Sequence, residues 1–225
     1  MTAKNAIKIY LENSYYHIYN RGIEKRAIFS DEQDYKVFLH FLKRYLTQPT
    51  ESPDQVRPAW RSDLFDKITL TAYCLMPNHF HLMVKQTTKE AIKEFMQALS
   101  NSYVRYFNEK YKRIGPLFQG RYKGVLIETE PYFLHLTRYI HLNPMDLENP
   151  GQVRPATRSD LFEYPYSSYG DYLGKRKINW IHPEEILAFF KTAQNTSLQD
   201  ILSYQSFIEN YKEDPKEILG ALTID

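Results

Sequence analysis

Short runs rich in aromatic and β-branched residues alternate along the chain with stretches of helical period. Residues 15–21 (YYHIYNR), 67–76 (KITLTAYCLM) and 79–86 (HFHLMVKQ) have strand composition, and Pro77-Asn78 turns the last two into a hairpin. In 31–46, Tyr35, Phe38, Leu39, Phe41, Leu42 and Leu46 fall on helical spacing, with Ser30 as the expected N-cap. A longer helix is predicted over about 88–112, with Ile92, Phe95, Met96, Leu99, Tyr103 and Phe107 on one face. Gly115-Pro116 ends it. Residues 117–129 read as extended. Residues 130–143 read as a helix with Pro131 in its first turn and Pro144 at its end. The stretches 48–66 and 148–165 have no period and predict loops. The tail predicts two or three short helices, with starts at His182-Pro183 and Asp214-Pro215.

The order strand, helix, strand, strand, helix, strand is a split-βαβ pattern. It predicts an α+β fold, ferredoxin- or RRM-like, in which two helices cover one face of an antiparallel sheet. The other face is expected to stay open for a ligand. The expected division is a domain over 1–175, with loop insertions at 48–66 and 148–165, and a helical C-terminal extension over 176–225.

Composition narrows the class. Of 225 residues, 43% are hydrophobic and 25% charged, which argues against disorder. No apolar run approaches the ~20 residues of a membrane span, and the N-terminal stretch lacks the apolar core of a signal peptide. The cytoplasm is therefore the expected location, with no membrane partner. A lone Cys74 excludes an intrachain disulfide and a multi-cysteine zinc site. The net charge is only +2, so any case for a nucleic-acid partner must come from local charge.

Three groups of residues could carry chemistry. His79 and His81, two apart on a strand, point to one face with Met83, while Phe80, Leu82 and Val84 point to the other. Two imidazoles on an open face could hold one metal ion, or could be surface histidines satisfied by water. Tyr139 and Asn143 lie four apart on the 130–143 helix, beside an apolar stripe of Phe133, Leu136 and Ile140. An amide oxygen could be a third ligand and the phenol a nucleophile; alternatively Tyr139 packs and Asn143 ends the helix. The run 110–127 holds Lys110, Lys112, Arg113, Arg121 and Lys123, no acid, and the aromatics Tyr111, Phe118 and Tyr122. It reads either as a phosphate-tracking, base-stacking surface or as a solvated charge run. Phosphate-loop, dinucleotide, zincin and nucleophile-elbow motifs are absent from the sequence. Cys74 reads as a buried hydrophobe.

One segment is duplicated: QVRPAWRSDLF (55–65) recurs as QVRPATRSDLF (152–162), differing only at Trp60 and Thr157. Both copies fall in predicted loops. They read as insertions, each a translated short repetitive DNA element dispensable for activity. A second reading makes them equivalent docking sites, with Arg57 and Arg154 on phosphate and Leu64-Phe65 and Leu161-Phe162 on the body.

The combination YHIYNRG (16–22), AYCLMPNHFHLMV (72–84), GPLFQGRYK (115–123) and RYIHLNP (138–144) resembles the single-tyrosine HUH transposases, the insertion-sequence 200/605 branch and its REP-associated relatives. The resemblance spans roughly 10–175. It implies that His79 and His81 are metal ligands, Asn143 the third ligand and Tyr139 the nucleophile, which makes 130–143 a catalytic helix. It further implies Mg²⁺ or Mn²⁺ as cofactor, hairpin-flanked single-stranded DNA as partner, a monomer or homodimer, and transposition through a 5′-phosphotyrosine. Two other functions fit the residues less closely: a noncatalytic single-strand binder stacking bases on Tyr15, Tyr19 and Tyr73, and a metal-dependent phosphodiesterase that uses water.

Overall fold

The computed structural model describes residues 10–48, 64–147, 155–192 and 203–220. Four strands form one antiparallel sheet in the order β2-β3-β1-β4: β1 Ser14–Arg21, β2 Ile68–Met76, β3 His79–Gln86 and β4 Lys123–Leu126. With α1 (Glu32–Leu46) and α2 (Ala91–Lys110) as the crossovers, this is the split-βαβ order expected. The extended stretch 117–129 yields only the four-residue β4, paired with β1 over Tyr16–Tyr19.

The two-residue parity of the strands sorts their side chains. Tyr16, Ile18, Leu70, Tyr73, Leu75, Phe80, Leu82 and Val84 join Phe38 and Leu42 of α1 and Phe95, Leu99 and Tyr103 of α2 in the first core. A shift in the β2–β3 register between Leu70 and Ala72 takes Thr71 out of the ladder and inverts the parity, so that Ile68 and Leu70 before it face the same core as Tyr73 and Leu75 after it. α1 starts one residue later than expected. Asp31, not Ser30, is the N-cap, because its carboxylate accepts from the Asp34 N–H and Asp34 answers on the Asp31 N–H.

The second sheet face is not open. α3 (Glu130–Leu142) lies across it, and Phe133, Leu136, Tyr139 and Ile140 pack on Ala72, Cys74, Met76 and Met83. The apolar stripe of this helix needs a partner, and the small and flexible side chains of that face supply one. α4 (Tyr169–Tyr172), α5 (Glu184–Thr192), α6 (Tyr204–Asn210) and α7 (Pro215–Leu219) complete the chain. Tyr169, Tyr172, Ile186, Phe207, Ile208 and Leu219 close the second core over α3. The tail past residue 176 therefore shares a core with α3. None of the helices among the described residues is long and apolar enough to cross a membrane.

The first copy of the duplicated segment lies outside the described residues except for Leu64 and Phe65. Of the second copy, 155–162 is described, and it is not a bare loop. Thr157 and Asp160 form a capping box that opens a 3-10 helix, Arg158–Glu163. Leu161 is fully buried in the second core.

Candidate active site

The site forms where the β2–β3 turn meets the end of α3. Gly22, just past β1, donates its N–H to the Asn78 carbonyl at 2.8 Å. A Cβ on Gly22 would stand 2.1 Å from the Arg26 carbonyl oxygen, so the tight turn over 22–26 needs glycine. β3 then carries His79 and His81 on the face turned to α3.

The two imidazoles are held in the same way. His79 Nδ1 donates to Asn78 Oδ1 at 2.6 Å, and His81 Nδ1 shares a hydrogen bond with His17 Nε2 at 2.9 Å. Burial pulls the His79 pKa down to about 4 and holds that of His81 well below the usual value, with neighbouring charges adding to the shift at His81. Both rings are therefore neutral near pH 7. With its proton on Nδ1, His79 presents a bare Nε2 lone pair, and 3.3 Å away lies Asn143 Oδ1. That oxygen cannot donate. The Asn143 amide N–H is spent on the Tyr139 carbonyl at 2.8 Å, which fixes the amide orientation. His81 Nε2 is buried and has no hydrogen-bond partner.

Two acceptors facing each other beside an orphaned third is an electrostatic debt within the protein alone. A divalent cation resolves it. The Nδ1 partners are the supporting bonds that orient metal-ligating histidines. Two neutral imidazoles and one amide oxygen thus fit such an ion.

Tyr139 stands over this group. Its ring is edge-on to His81 at 5.2 Å between centroids and to His17 at 6.0 Å. Beside it opens a cavity of about 510 Å³, lined by Tyr139, Asn143, Asp146, Arg158, Lys212 and Lys216, with Lys216 paired to Asp146 at 3.0 Å. Three side chains of the site were not singled out by sequence: Arg158, Lys212 and Lys216. They come from the second repeat copy and the tail, and nothing local marks them. His17 had a usable signal, because strand parity puts it on the same face of β1 as Tyr19, opposite His81.

The basic run divides. Lys110 is bound to Asp31 at 2.7 Å and to the fully buried Asp34 at 2.8 Å, and it lies over the Tyr111 ring at 5.0 Å. This corrects its assignment to a DNA surface, because both carboxylates would lose their cation. Tyr111 donates to Asp34, Phe118 is buried and Tyr122 bonds Tyr10, so these aromatics serve the fold rather than stack bases. Lys112 is exposed, and Arg113 lies over Phe107 at 5.8 Å. Arg121 is exposed, and Lys123 pairs with Tyr19 in β1. The loop before Arg121 runs beside the histidine end of the sheet, where the Gln119 N–H bonds the Arg21 carbonyl and Arg21 faces His79 across the strands.

The supposed stacking platform is also gone. Tyr19 and Tyr73 are buried, Tyr73 stacks on Trp180, and Tyr15 packs edge-on to Phe133 at 4.7 Å. The second repeat copy is also tied into the fold. Deleting it would remove Leu161 from the core, at a cost of about 2–5 kcal/mol for a side chain of that size, and Arg158 from the cavity wall.

The fold is α+β: a split-βαβ sheet with a histidine pair on one face and a tyrosine-bearing helix laid across that face. Residues 64–143, about a third of the chain, match the family described as IS200-like transposase. No curated protein matches the chain. Two solved structures are similar. One is a REP-associated tyrosine transposase bound to a REP hairpin, 15% identical, with a TM-score of 0.47, covering 78% of this chain and 90% of that one. The other is a candidate transposase from Deinococcus radiodurans R1, 16% identical, with a TM-score of 0.37, covering 62% of this chain and 95% of that one.

Proposed function

We propose that this protein cleaves and rejoins single-stranded DNA through a covalent tyrosine intermediate, on hairpin-flanked substrates. The observation that carries the reading is the pair of facing lone pairs, His79 Nε2 and Asn143 Oδ1, beside the His81 ring that Tyr139 meets edge-on. His79, His81 and Asn143 would hold Mg²⁺ or Mn²⁺, which would supply Lewis-acid stabilisation of the charge that grows on the scissile phosphate. Tyr139 Oη forms the new bond to phosphorus. The bond from phosphorus to the 3′ oxygen breaks, and the proton lost by the phenol ends on the departing 3′-OH. The product is a 5′-phosphotyrosine beside a free 3′-OH, and reversal by another 3′-OH joins strands without ATP. Lys212 on the cavity wall is placed to hold a flanking phosphate, with Arg21, Arg121 and Lys123 continuing the path along the sheet end, while Lys216 is paired with Asp146 and Arg158 donates to the Tyr211 carbonyl.

The test is covalent trapping. The full chain, incubated with labelled single-stranded DNA and Mn²⁺ or Mg²⁺, should give a denaturation-resistant adduct. Cleavage with no adduct would instead identify a hydrolase that uses water.

Chelation should abolish cleavage, and adding Mn²⁺ or Mg²⁺ should restore it. His81→Ala should stay inactive at any metal concentration, because it removes the ligand that His17 orients. Full activity in excess chelator would show that these residues hold no catalytic ion.

Arg121→Ala and Lys123→Ala should each weaken single-strand binding and flatten its salt dependence. One lost phosphate contact lowers the slope of log affinity against log salt by about 0.7. A slope unchanged in both variants would place the DNA elsewhere. Lys110→Ala, by contrast, should lower stability through Asp31 and Asp34 and leave the slope unchanged.

A further inference from the structure

The duplicated segment has a property that only its codons explain. Reading it from both ends inward pairs Gln55 with Leu64, Val56 with Asp63, Arg57 with Ser62 and Pro58 with Arg61. The second copy pairs Gln152 with Leu161, Val153 with Asp160, Arg154 with Ser159 and Pro155 with Arg158. In the genetic code, the reverse complement of a glutamine codon always encodes leucine. That of a valine codon encodes Asp, Asn, His or Tyr; of an arginine codon, Ser, Thr, Pro or Ala; of a proline codon, Arg, Gly or Trp. All four pairs satisfy these narrow rules, in one reading frame and around one centre. Four codons on each side can therefore be perfect reverse complements, a stem of twelve base pairs closed by the two codons between the arms. The single residue that differs between the copies, Trp60 against Thr157, lies in that closing loop. Beyond the arms the pairing stops, since neither Asp54 nor Gly151 can mirror Phe65 or Phe162. Pro53 and Pro150 agree as well, so the likeness runs slightly past the eleven residues.

Peptide function gives no reason for a mirror rule written in codons. A duplicated docking peptide would keep its contact residues and has no cause to keep complementarity between its two ends. The structure shows how the peptide is accommodated. Leu64 is buried in the first core and Leu161 in the second, 1% and 0% exposed, while the following Phe65 and Phe162 stay 37% and 38% exposed. The last residue of each arm is thus an apolar anchor, on opposite faces of the sheet.

We propose that residues 55–64 and 152–161 are two in-frame copies of a hairpin-forming DNA element, and that this element is a substrate of the protein. The inference deepens the proposed function, on which it rests, by naming the DNA. When its gene is single-stranded, each copy folds into a stem-loop of the kind the site takes, so the protein recognises its own coding sequence. Arg158 then carries a double history, encoded by one arm of the element and lining the cavity that acts on it.

The first test is the nucleotide sequence of the gene. Both valines must be GTC with both aspartates GAC. Each arginine–serine pair must be CGA with TCG or AGA with TCT, and each proline–arginine pair CCG with CGG or CCT with AGG. Arms that do not pair in either copy overturn the proposal and favour a selected docking peptide.

The second test uses the full-length protein and single-stranded oligonucleotides carrying each strand of each copy with its flanks. Binding should be tighter by about tenfold or more than to an oligonucleotide of equal composition with one arm scrambled, and scrambling both arms complementarily should restore much of the difference. Equal binding to all of them overturns the substrate assignment. A covalent adduct on other single-stranded DNA but none on these hairpins overturns it too, while leaving the nicking reading intact. No adduct on any DNA, with hairpin preference retained, would refute nicking and leave recognition of the element standing.

Discussion

Tyr139→Phe is expected to remove covalent adduct and strand cleavage, a loss on the order of 10⁴-fold or more, while DNA binding and the fold persist. The change deletes one hydroxyl and keeps the ring that packs against His81 and His17. Its effect on stability should be within about 1 kcal/mol. The competing tyrosines are committed elsewhere. Tyr103 is fully buried and donates to the Ile28 carbonyl, Tyr106 donates to Asp34 at 2.9 Å, and Tyr132 sits in the first turn of α3, away from Asn143. Among the described tyrosines, Tyr139 alone combines a place on the cavity wall with ring contact to His81. Mass spectrometry of the trapped complex should find the nucleotide on the peptide that contains it. An adduct formed at wild-type rate by Tyr139→Phe would refute the assignment.

Arg138→Met is expected to cost about 3 kcal/mol or more, lowering the melting temperature by roughly 6–12 °C. Arg138 lies in the middle of α3, fully buried, and no carboxylate pairs with it among its hydrogen bonds. Its guanidinium instead donates to the Glu213 and Tyr211 carbonyls, both at 2.7 Å, and stacks over the Tyr211 ring at 5.0 Å. Burial draws its pKa down to about 10, so it remains charged at neutral pH. Methionine keeps much of the volume but takes the charge-assisted donor from the Glu213 carbonyl, leaves the Tyr211 carbonyl to Arg158 alone and loses the stacking on Tyr211. Those carbonyls belong to the segment that leads into α7, where Lys212, Asp214 and Lys216 line the cavity. Cleavage should therefore fall along with stability, even though Arg138 touches no substrate. Arg138→Lys should recover only part of the loss, since one ammonium cannot reproduce the fixed fork. A denaturation midpoint unchanged by Arg138→Met would show that α7 is held by its apolar contacts alone.

Much of the fold was legible in the chain because its signals are local. Strand composition and turn residues placed β1, β2 and β3 within about one residue, and helical spacing placed α1 and α3. Strand parity alone put His79, His81 and Met83 on one face and Phe80, Leu82 and Val84 on the other, as found. The four-residue spacing of Tyr139 and Asn143 was equally direct.

Other features depend on which surfaces meet, and spacing along the chain does not encode that. Parity told that the histidines share a face, but not that α3 and the tail helices would bury it. That outcome follows from the free energy of covering two apolar stripes at once. The meaning of Lys110 changed because Asp31 and Asp34, far away in sequence, carry the opposite charge beside it. The contact of His79 Nε2 with Asn143 Oδ1 needs β3 and α3 docked at one angle and one height, and so does the cavity wall of Arg158, Lys212 and Lys216. Sequence by itself determined the elements, their order and the residue types able to hold an ion and attack a phosphate. Tertiary packing alone decided that they converge, because bringing strand, helix and tail together is a balance of buried area and paired charge over the whole molecule, and no single segment carries that balance.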